Sequence, residues 1–260
     1  MDMELSSAEP TPVEYDDSSM SPPTARPFVH EYDGTLTLQF EIGAVQSKMH
    51  VDVPHQLMLG YTRSIMGFLL FKQRPRHIGM IGLGGGSLQK YCHRYLPHTR
   101  ISVAEISPEV IALRDHFYIP RDDHRFTIFC EDGADFVARH KDEFDVLIVD
   151  GFDIGGQPAQ LCSERFYQDC YNALAPDGIL VVNLCDCPFK TLIARISRSF
   201  AEQVIVVDPE DGENKIAFAG KGGILSQSEE QFARNRRYVD QHHAISFGHT
   251  LRQLETRREA

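Results

Sequence analysis

The chain has no apolar stretch that approaches a membrane span. The uncharged run Ser64 to Phe71 covers eight residues, against about 20 for a helix that crosses a bilayer. The N-terminus is acidic and shows no basic-then-apolar leader, so export is not expected. Positive charge is in deficit too. A net charge of −11 argues against nucleic acid or an anionic membrane as partner. Cysteine is too sparse for a disulfide scaffold: six thiols (Cys92, Cys130, Cys162, Cys170, Cys185 and Cys187) are spread over 260 residues. They are read as reduced, in a cytoplasmic protein. Metal-ligand spacing is missing as well. Cys185-Asp186-Cys187 has no second Cys/His pair beside it, and the twelve histidines form no H-x-x-x-H pair. No metal is expected, and most histidines are expected at the surface.

What the chain does have is enough apolar material, 42%, to bury a sizeable core as one domain with at most a small appendage. Residues 1–26 carry six acids against Arg26 alone, −5 of the −11, and are rich in Ser and Pro. They are predicted to be a disordered acidic tail. The folded remainder is only mildly acidic, which is compatible with a cationic substrate. Residues 27–71 read as an N-terminal β-portion with a lead-in helix. Leu36, Leu38 and Phe40 alternate toward one face, Asp33-Gly34 marks a turn, and Gln56 to Phe71 has helical spacing.

From 72 to 225 short apolar runs alternate with helical patterns, and the most informative stretch is His77 to Glu105. An apolar run, Ile78 to Ile81, breaks into Gly82-Leu83-Gly84-Gly85-Gly86. A helical pattern follows around Leu88, Tyr91 and Tyr95, and then a second apolar run, Ile101 to Ala104, ends on Glu105. Strand, glycine turn, helix, strand and carboxylate are the parts of a nucleoside-binding βαβ unit. Glycines let a ligand approach the backbone closely, and a helix N-terminus offers free N–H groups. Glu105, nineteen residues past Gly86, is placed to accept from a ribose diol. The plain alternative is a tight turn in an ordinary α/β domain.

Further steps follow: a helix from Pro108 to about Phe117, a strand Phe126 to Phe129, a helix Gly133 to His140 and the apolar strand Phe144 to Val149. Then come a Ser-capped helix to Leu174, a turn at Pro176-Asp177-Gly178, the strand Ile179 to Asn183, a helix Phe189 to Phe200, and two closing strands. Five βα steps and a closing pair predict an open, mostly parallel sheet. Residues 226–260 read as a charged helical tail with few apolar anchors. In such sheets ligands lie outside the carboxyl ends of the strands. Those ends here carry the glycine turn, Glu105, Glu131-Asp132-Gly133, Asp150-Gly151-Phe152-Asp153 and Asn183. Each acid alone has a plain reading, because Asp and Asn also cap helices and favour turns; Asp132 before Gly133 fits a cap as well as a ligand contact.

These residues resemble the spermidine synthase-like family, the polyamine aminopropyltransferases, whose members carry a glycine turn, then V-E-I-D, then D-G, then a D-x-x-D element. This chain has Gly82 to Gly86, Ala104-Glu105-Ile106-Ser107, Asp132-Gly133, and Asp150 with Asp153, followed by Gly156, Pro158, Ala159 and Leu161. A generic methyltransferase usually has an acid two residues before its first glycine, where this chain has Met80. The resemblance spans roughly residues 35–220. It implies a Rossmann-like, class I methyltransferase-type sheet of seven strands with a small N-terminal β-hairpin portion, and a homodimer. It further implies that Gly82, Gly84, Gly86, Glu105, Asp132 and Gly133 hold decarboxylated S-adenosylmethionine. Glu105 would take the ribose and Asp132 the adenine amino group. Asp150 would be the catalytic acceptor, with Gln46, Tyr61 and Asp153 toward the amine.

The chemistry gives a reason for these roles. A free aliphatic amine has a pKa of about 10.4 and is no nucleophile while protonated. A carboxylate can attract the cation, orient it and take its proton during attack. Departures concentrate at the amine side: the family's Asp in the glycine turn is Gly85 here, and its Tyr/His-Glu/Gln pair is Tyr61-Thr62. The first expectation is aminopropyl transfer to a small-molecule amine. The alternatives are methyl transfer from S-adenosylmethionine, whose carboxylate an Asp at position 85 would repel, and a non-enzymatic nucleoside-binding relative.

Overall fold

A computed structural model describes residues 26–41, 44–153, 155–185, 187–210, 212 and 214–258. The tail expected to be disordered therefore lies outside the described residues, apart from Arg26. The chain opens with an antiparallel meander, β1 (Phe28–Tyr32), β2 (Thr35–Glu41) and β3 (Ala44–His50). Asp33 and Gly34 take φ of 46° and 66° between the first two strands, the left-handed pair that a two-residue hairpin needs. Alternation decides which face of the meander is covered: Leu36, Leu38 and Met49 are buried, while Tyr32 and Val45 stay exposed.

The main sheet has seven strands: β4 (His77–Ile81), β5 (Arg100–Glu105), β6 (Phe126–Cys130), β7 (Phe144–Val149), β8 (Leu174–Leu184), β9 (Val204–Val207) and β10 (Lys215–Gly220). Their order is β6-β5-β4-β7-β8-β10-β9. The first five are parallel and β10 runs antiparallel to both its neighbours. β4 and β7 are buried at every position, as continuous apolar runs in a two-sided sheet must be. Their side chains divide between two cores: Ile78, Met80, Val146 and Ile148 on one face, Ile81, Leu147 and Val149 on the other. The chain leaves β4 toward β5 on one side and takes up β7 on the other. That reversal opens a crevice at the carboxyl ends of β4 and β7.

The helices are α1 (Gly60–Ile65), α2 (Ser87–Tyr95), α3 (Pro108–Ala112), α4 (Gly133–Ala138), α5 (Glu164–Ala173), α6 (Phe189–Ser199), α7 (Glu229–His242) and α8 (Gly248–Arg258). Ser163 caps α5, its Oγ accepting from the Phe166 amide at 3.0 Å. Four expectations need correction. The helix expected over 56–71 begins only at Gly60 and tightens into a 3-10 turn at Met66–Leu70. The Leu57 and Met58 carbonyls are taken instead by Arg63 Nη1, at 3.0 and 3.1 Å. The helix expected from Pro108 to Phe117 stops at Ala112, and the chain reverses at Tyr118 with φ 52°. Pro176-Asp177-Gly178 lies within β8 as an irregularity of register, with Asp177 at φ 57°. Residues 226–258 are well anchored. Phe232, Val239, Leu251 and Leu254 are buried, Asn235 Nδ2 donates to the Leu70 carbonyl at 2.9 Å, and α8 lies along the edge strand β9. Long side chains of α7 and α8 made the segment look polar, yet one stripe of each helix faces the core.

Candidate active site

The crevice widens into a cavity of about 710 Å³, a size suited to a nucleoside with a short aliphatic arm. The sheet ends form its floor, the meander and α1 its roof, and the loop after β7 one side. Of the residues singled out from sequence, Gln46, Tyr61, Gly82, Gly84, Glu105, Asp132, Gly133, Asp150 and Asp153 all line it. Gly86 does not. It sits at the head of α2 with φ 67°, where a Cβ would lie 2.4 Å from Ile119 Cγ1. Close packing, not ligand contact, requires glycine at 86. Gly82 has both duties: with φ 96° it lines the cavity, and a Cβ there would lie 2.2 Å from the Asp150 carbonyl oxygen. Gln89 Nε2 holds the turn from behind by donating to the Gly82 carbonyl at 2.8 Å.

Glu105 is 9% exposed at the end of β5. Its Oε2 accepts from the Leu83 amide and its Oε1 from the Ser107 amide, each at 2.9 Å. Burial raises its pKa, and these amide donors work against the rise. The carboxylate is thus pinned between the glycine turn and the next loop. Each oxygen retains accepting capacity for a ligand hydroxyl. Asp132 is a helix cap that also lines the cavity. It caps α4, with Oδ1 accepting from the Ala134 amide at 2.7 Å, and its Oδ2 accepts from Gln160 Nε2 at 3.1 Å on the cavity wall. Its neighbour Glu131 is turned to Arg139 instead.

Asp150 stands just past the end of β7. Its Oδ1 accepts from Asn183 Nδ2 at 2.8 Å, and Asn183 Oδ1 accepts from Asn214 Nδ2 at 2.8 Å. Burial pushes the Asp150 pKa up to about 7, opposed by the Asn183 bond. Tyr61 is nearby. Burial, then the charges of Asp150 and Cys185, hold its phenol protonated well above the usual range. Its hydroxyl donates to the Gln46 carbonyl at 3.5 Å. Asp153 is exposed in a tight turn, its Oδ1 accepting from the Gly155 amide at 2.7 Å.

The wall carries five carboxylates, Glu105, Glu109, Asp132, Asp150 and Asp153, against one guanidinium, Arg26. Such a cavity favours a ligand bearing positive charge. Position 85 is closed to a larger residue: a Cβ there would fall 2.6 Å from Ser47 Oγ and 2.9 Å from Phe117 Cδ1. No group of three or more His, Cys, Asp or Glu side chains among the described residues could hold a metal ion. No helix among them is long and apolar enough to cross a membrane. Asn214, Gln89 and Gln160 had no signal in the sequence, because each reaches the site through contacts remote in the chain or from a helix flank.

Comparison with known proteins gives concordant findings. The spermine/spermidine synthase domain matches residues 58–209. A polyamine aminopropyltransferase of Neisseria meningitidis serogroup A is 33% identical over 231 residues, 87% of this chain and 88% of its own length. One from Chromobacterium violaceum is 37% identical over 180 residues, 68% of this chain and 69% of its own. In fold, a probable spermidine synthase from Corynebacterium glutamicum superposes with a TM-score of 0.66 at 19% identity, covering 84% of this chain and 91% of that one. Human methyltransferase-like protein 13 superposes with a TM-score of 0.63 at 20% identity, covering 75% and 93%.

Proposed function

Because this chain belongs to the spermine/spermidine synthase family, we propose that it transfers an aminopropyl group from decarboxylated S-adenosylmethionine to an amine, in polyamine biosynthesis. The observation that carries the reading is the acidic cavity in which Glu105 and Asp150 are held at the ends of β5 and β7, the strands on either side of β4, by separate hydrogen-bond sets. Glu105 would bind the ribose diol, and Asp132 and Gly133 would wall the base. The glycine turn at Gly82 and Gly84 would let the nucleoside lie against the backbone. Gln46, Tyr61 and Asp153 would flank the incoming amine. The sulfonium supplies an activated carbon and a neutral leaving group, methylthioadenosine.

Asp150 then does the protein's part. The amine arrives as an ammonium and must shed a proton before its nitrogen can form the new C–N bond as the C–S bond breaks. Proton transfer from an amine of pKa about 10.4 to an ordinary aspartate near 3.9 is uphill by about 6 to 7 pK units. Against a carboxyl raised to about 7 the deficit is about half that. Tyr61 stays protonated throughout, so it can donate a hydrogen bond but cannot act as base. Nothing covalent forms on the enzyme; positioning and field carry the step.

The reading includes a cytoplasmic, homodimeric enzyme, a point for sedimentation and fractionation to check. Its direct test is release of methylthioadenosine from decarboxylated S-adenosylmethionine across a panel of amines, with calorimetric binding of both sulfonium compounds. A clear preference for S-adenosylmethionine, with no release in any amine, would replace aminopropyl with methyl transfer. The absence of a carboxylate at position 85 favours that second reading, since nothing there would repel the cofactor's own carboxylate.

A further inference from the structure

Two amides run in series behind Asp150. Asn183, 2% exposed at the end of β8, donates its Nδ2 to Asp150 Oδ1 at 2.8 Å. Its Oδ1 accepts in turn from Nδ2 of Asn214, the residue before β10, at 2.8 Å. A primary amide has one donating and one accepting end. With its oxygen taken by Asn214, Asn183 has only its NH₂ to turn toward the carboxylate. We propose that Asn214 is a positioning residue, which fixes Asn183 as an obligatory donor and so keeps the Asp150 carboxylate oriented and ionised for the arriving amine. This rests on the reading of Asp150 as the proton acceptor.

The surroundings make such a donor necessary. Burial works against the ionised form of Asp150, and the Asn183 bond is the influence that counters it. The groups around the site give little help. Tyr61 from α1 is a neutral phenol with the Cys185 thiol beside it. Asp153, Glu105 and Asp132 are acids on the same wall. Lys215, next to Asn214, is tied to Asp208 at 2.5 Å. A neutral donor supports the charge without neutralising the field that draws the ammonium in. Had a lysine stood at 183, it would have paired with Asp150 and competed with the substrate.

The polarity of the relay can be reversed without changing its shape. Asn214→Asp is isosteric but only accepts when ionised. It draws the NH₂ of Asn183 to itself and leaves the amide oxygen facing Asp150. Titration of the Asp150 carboxyl carbon by NMR in ligand-free protein should show its midpoint rising by about one pH unit or more. The acid limb of kcat/KM should move with it. Asn183→Leu should raise the midpoint likewise, and adding Asn214→Asp to Asn183→Leu should move it no further. Asn214→Ala, which removes the donor and adds no charge, should give a smaller rise. No movement in either Asn214 variant overturns the proposal. So does an equal movement with and without Asn183, which would mean charge acting through space. The titration needs no turnover. A protein that releases no methylthioadenosine would therefore defeat the aminopropyl reading and still report on the relay.

Discussion

Strand β7 places one aspartate near its start and another just past its end, five positions apart. Asp145, 3% exposed at the amino end of the sheet, accepts from the Arg76 amide at 2.6 Å and the His77 amide at 3.3 Å. It also has Lys72 Nζ at 3.3 Å and Arg76 Nε at 3.6 Å. Burial alone would raise its pKa, but the Arg76 amide and the Lys72 charge outweigh burial and the net movement is downward. Asp150, at the carboxyl end, accepts a neutral amide from Asn183 and is pushed up by burial to about 7. One acid is compensated and structural; the other is left short of partners where a ligand can reach it. A carboxylate that the fold declines to neutralise is the kind of group that catalysis uses.

The contrast can be tested at both ends. Asp150→Asn should cost the largest factor, about 10²- to 10⁴-fold in methylthioadenosine release, with calorimetric binding of the nucleoside largely kept. Because the folded state holds a proton on Asp150 up to about 7, and the unfolded chain only to about 3.9, Asp150 lowers stability as pH rises through that window. Asp150→Asn should thus melt higher than the parent at pH 8. Parental kcat/KM should fall as pH drops through about 7. Unchanged turnover in the variant would remove its catalytic role. Glu105→Gln comes next. Loss of one charge-assisted acceptor should weaken methylthioadenosine binding by about 10- to 100-fold; unaltered affinity would place the ribose elsewhere.

Asp145→Asn should behave in the opposite way, costing about 1 to 2 kcal/mol of stability by urea unfolding with turnover per folded molecule kept. Its folded pKa is lowered, so the stability it lends is present at neutral pH and fades as pH falls below about 3.9. A turnover defect would break the division between the two ends. The smallest effect belongs to two buried histidines. Burial, reinforced by Arg100 for His77 and by His242 for His243, lowers both to about 4. The unfolded chain therefore binds more protons between about pH 6.5 and 4, and stability should decline as pH falls across that range. His77→Gln should flatten part of the slope in urea midpoints measured at pH 7 and 5.

The histidines also show where reading by residue type stops. Nothing around His77 in the chain marks it as buried. Arg100 Nη2 lies 2.8 Å from its Nδ1 and Ser102 Oγ 2.9 Å from its Nε2, both supplied by the next strand of the sheet. The continuous apolar run of β7, the Gly82 turn, the Ser163 cap and the acids at strand ends were legible, because each is a local pattern with a local cause. The seven-stranded sheet and its crevice followed from them. The anchoring of α7 and α8 was hidden, because a narrow apolar stripe among long charged side chains shows as a face only once there is something to face.

Chain order alone determined which acids would gather at the mouth of the sheet, since every parallel strand ends on the same side. Tertiary structure decided what each one became: a carboxylate pinned between the glycine turn and the next loop at Glu105, a cap that also walls the cavity at Asp132, an under-compensated carboxylate at Asp150. It likewise decided that Gly86 packs against Ile119 and that Asn214 stands behind Asn183. Ionisation depends on desolvation and on donors brought from distant strands, and neither quantity exists until the chain has closed on itself.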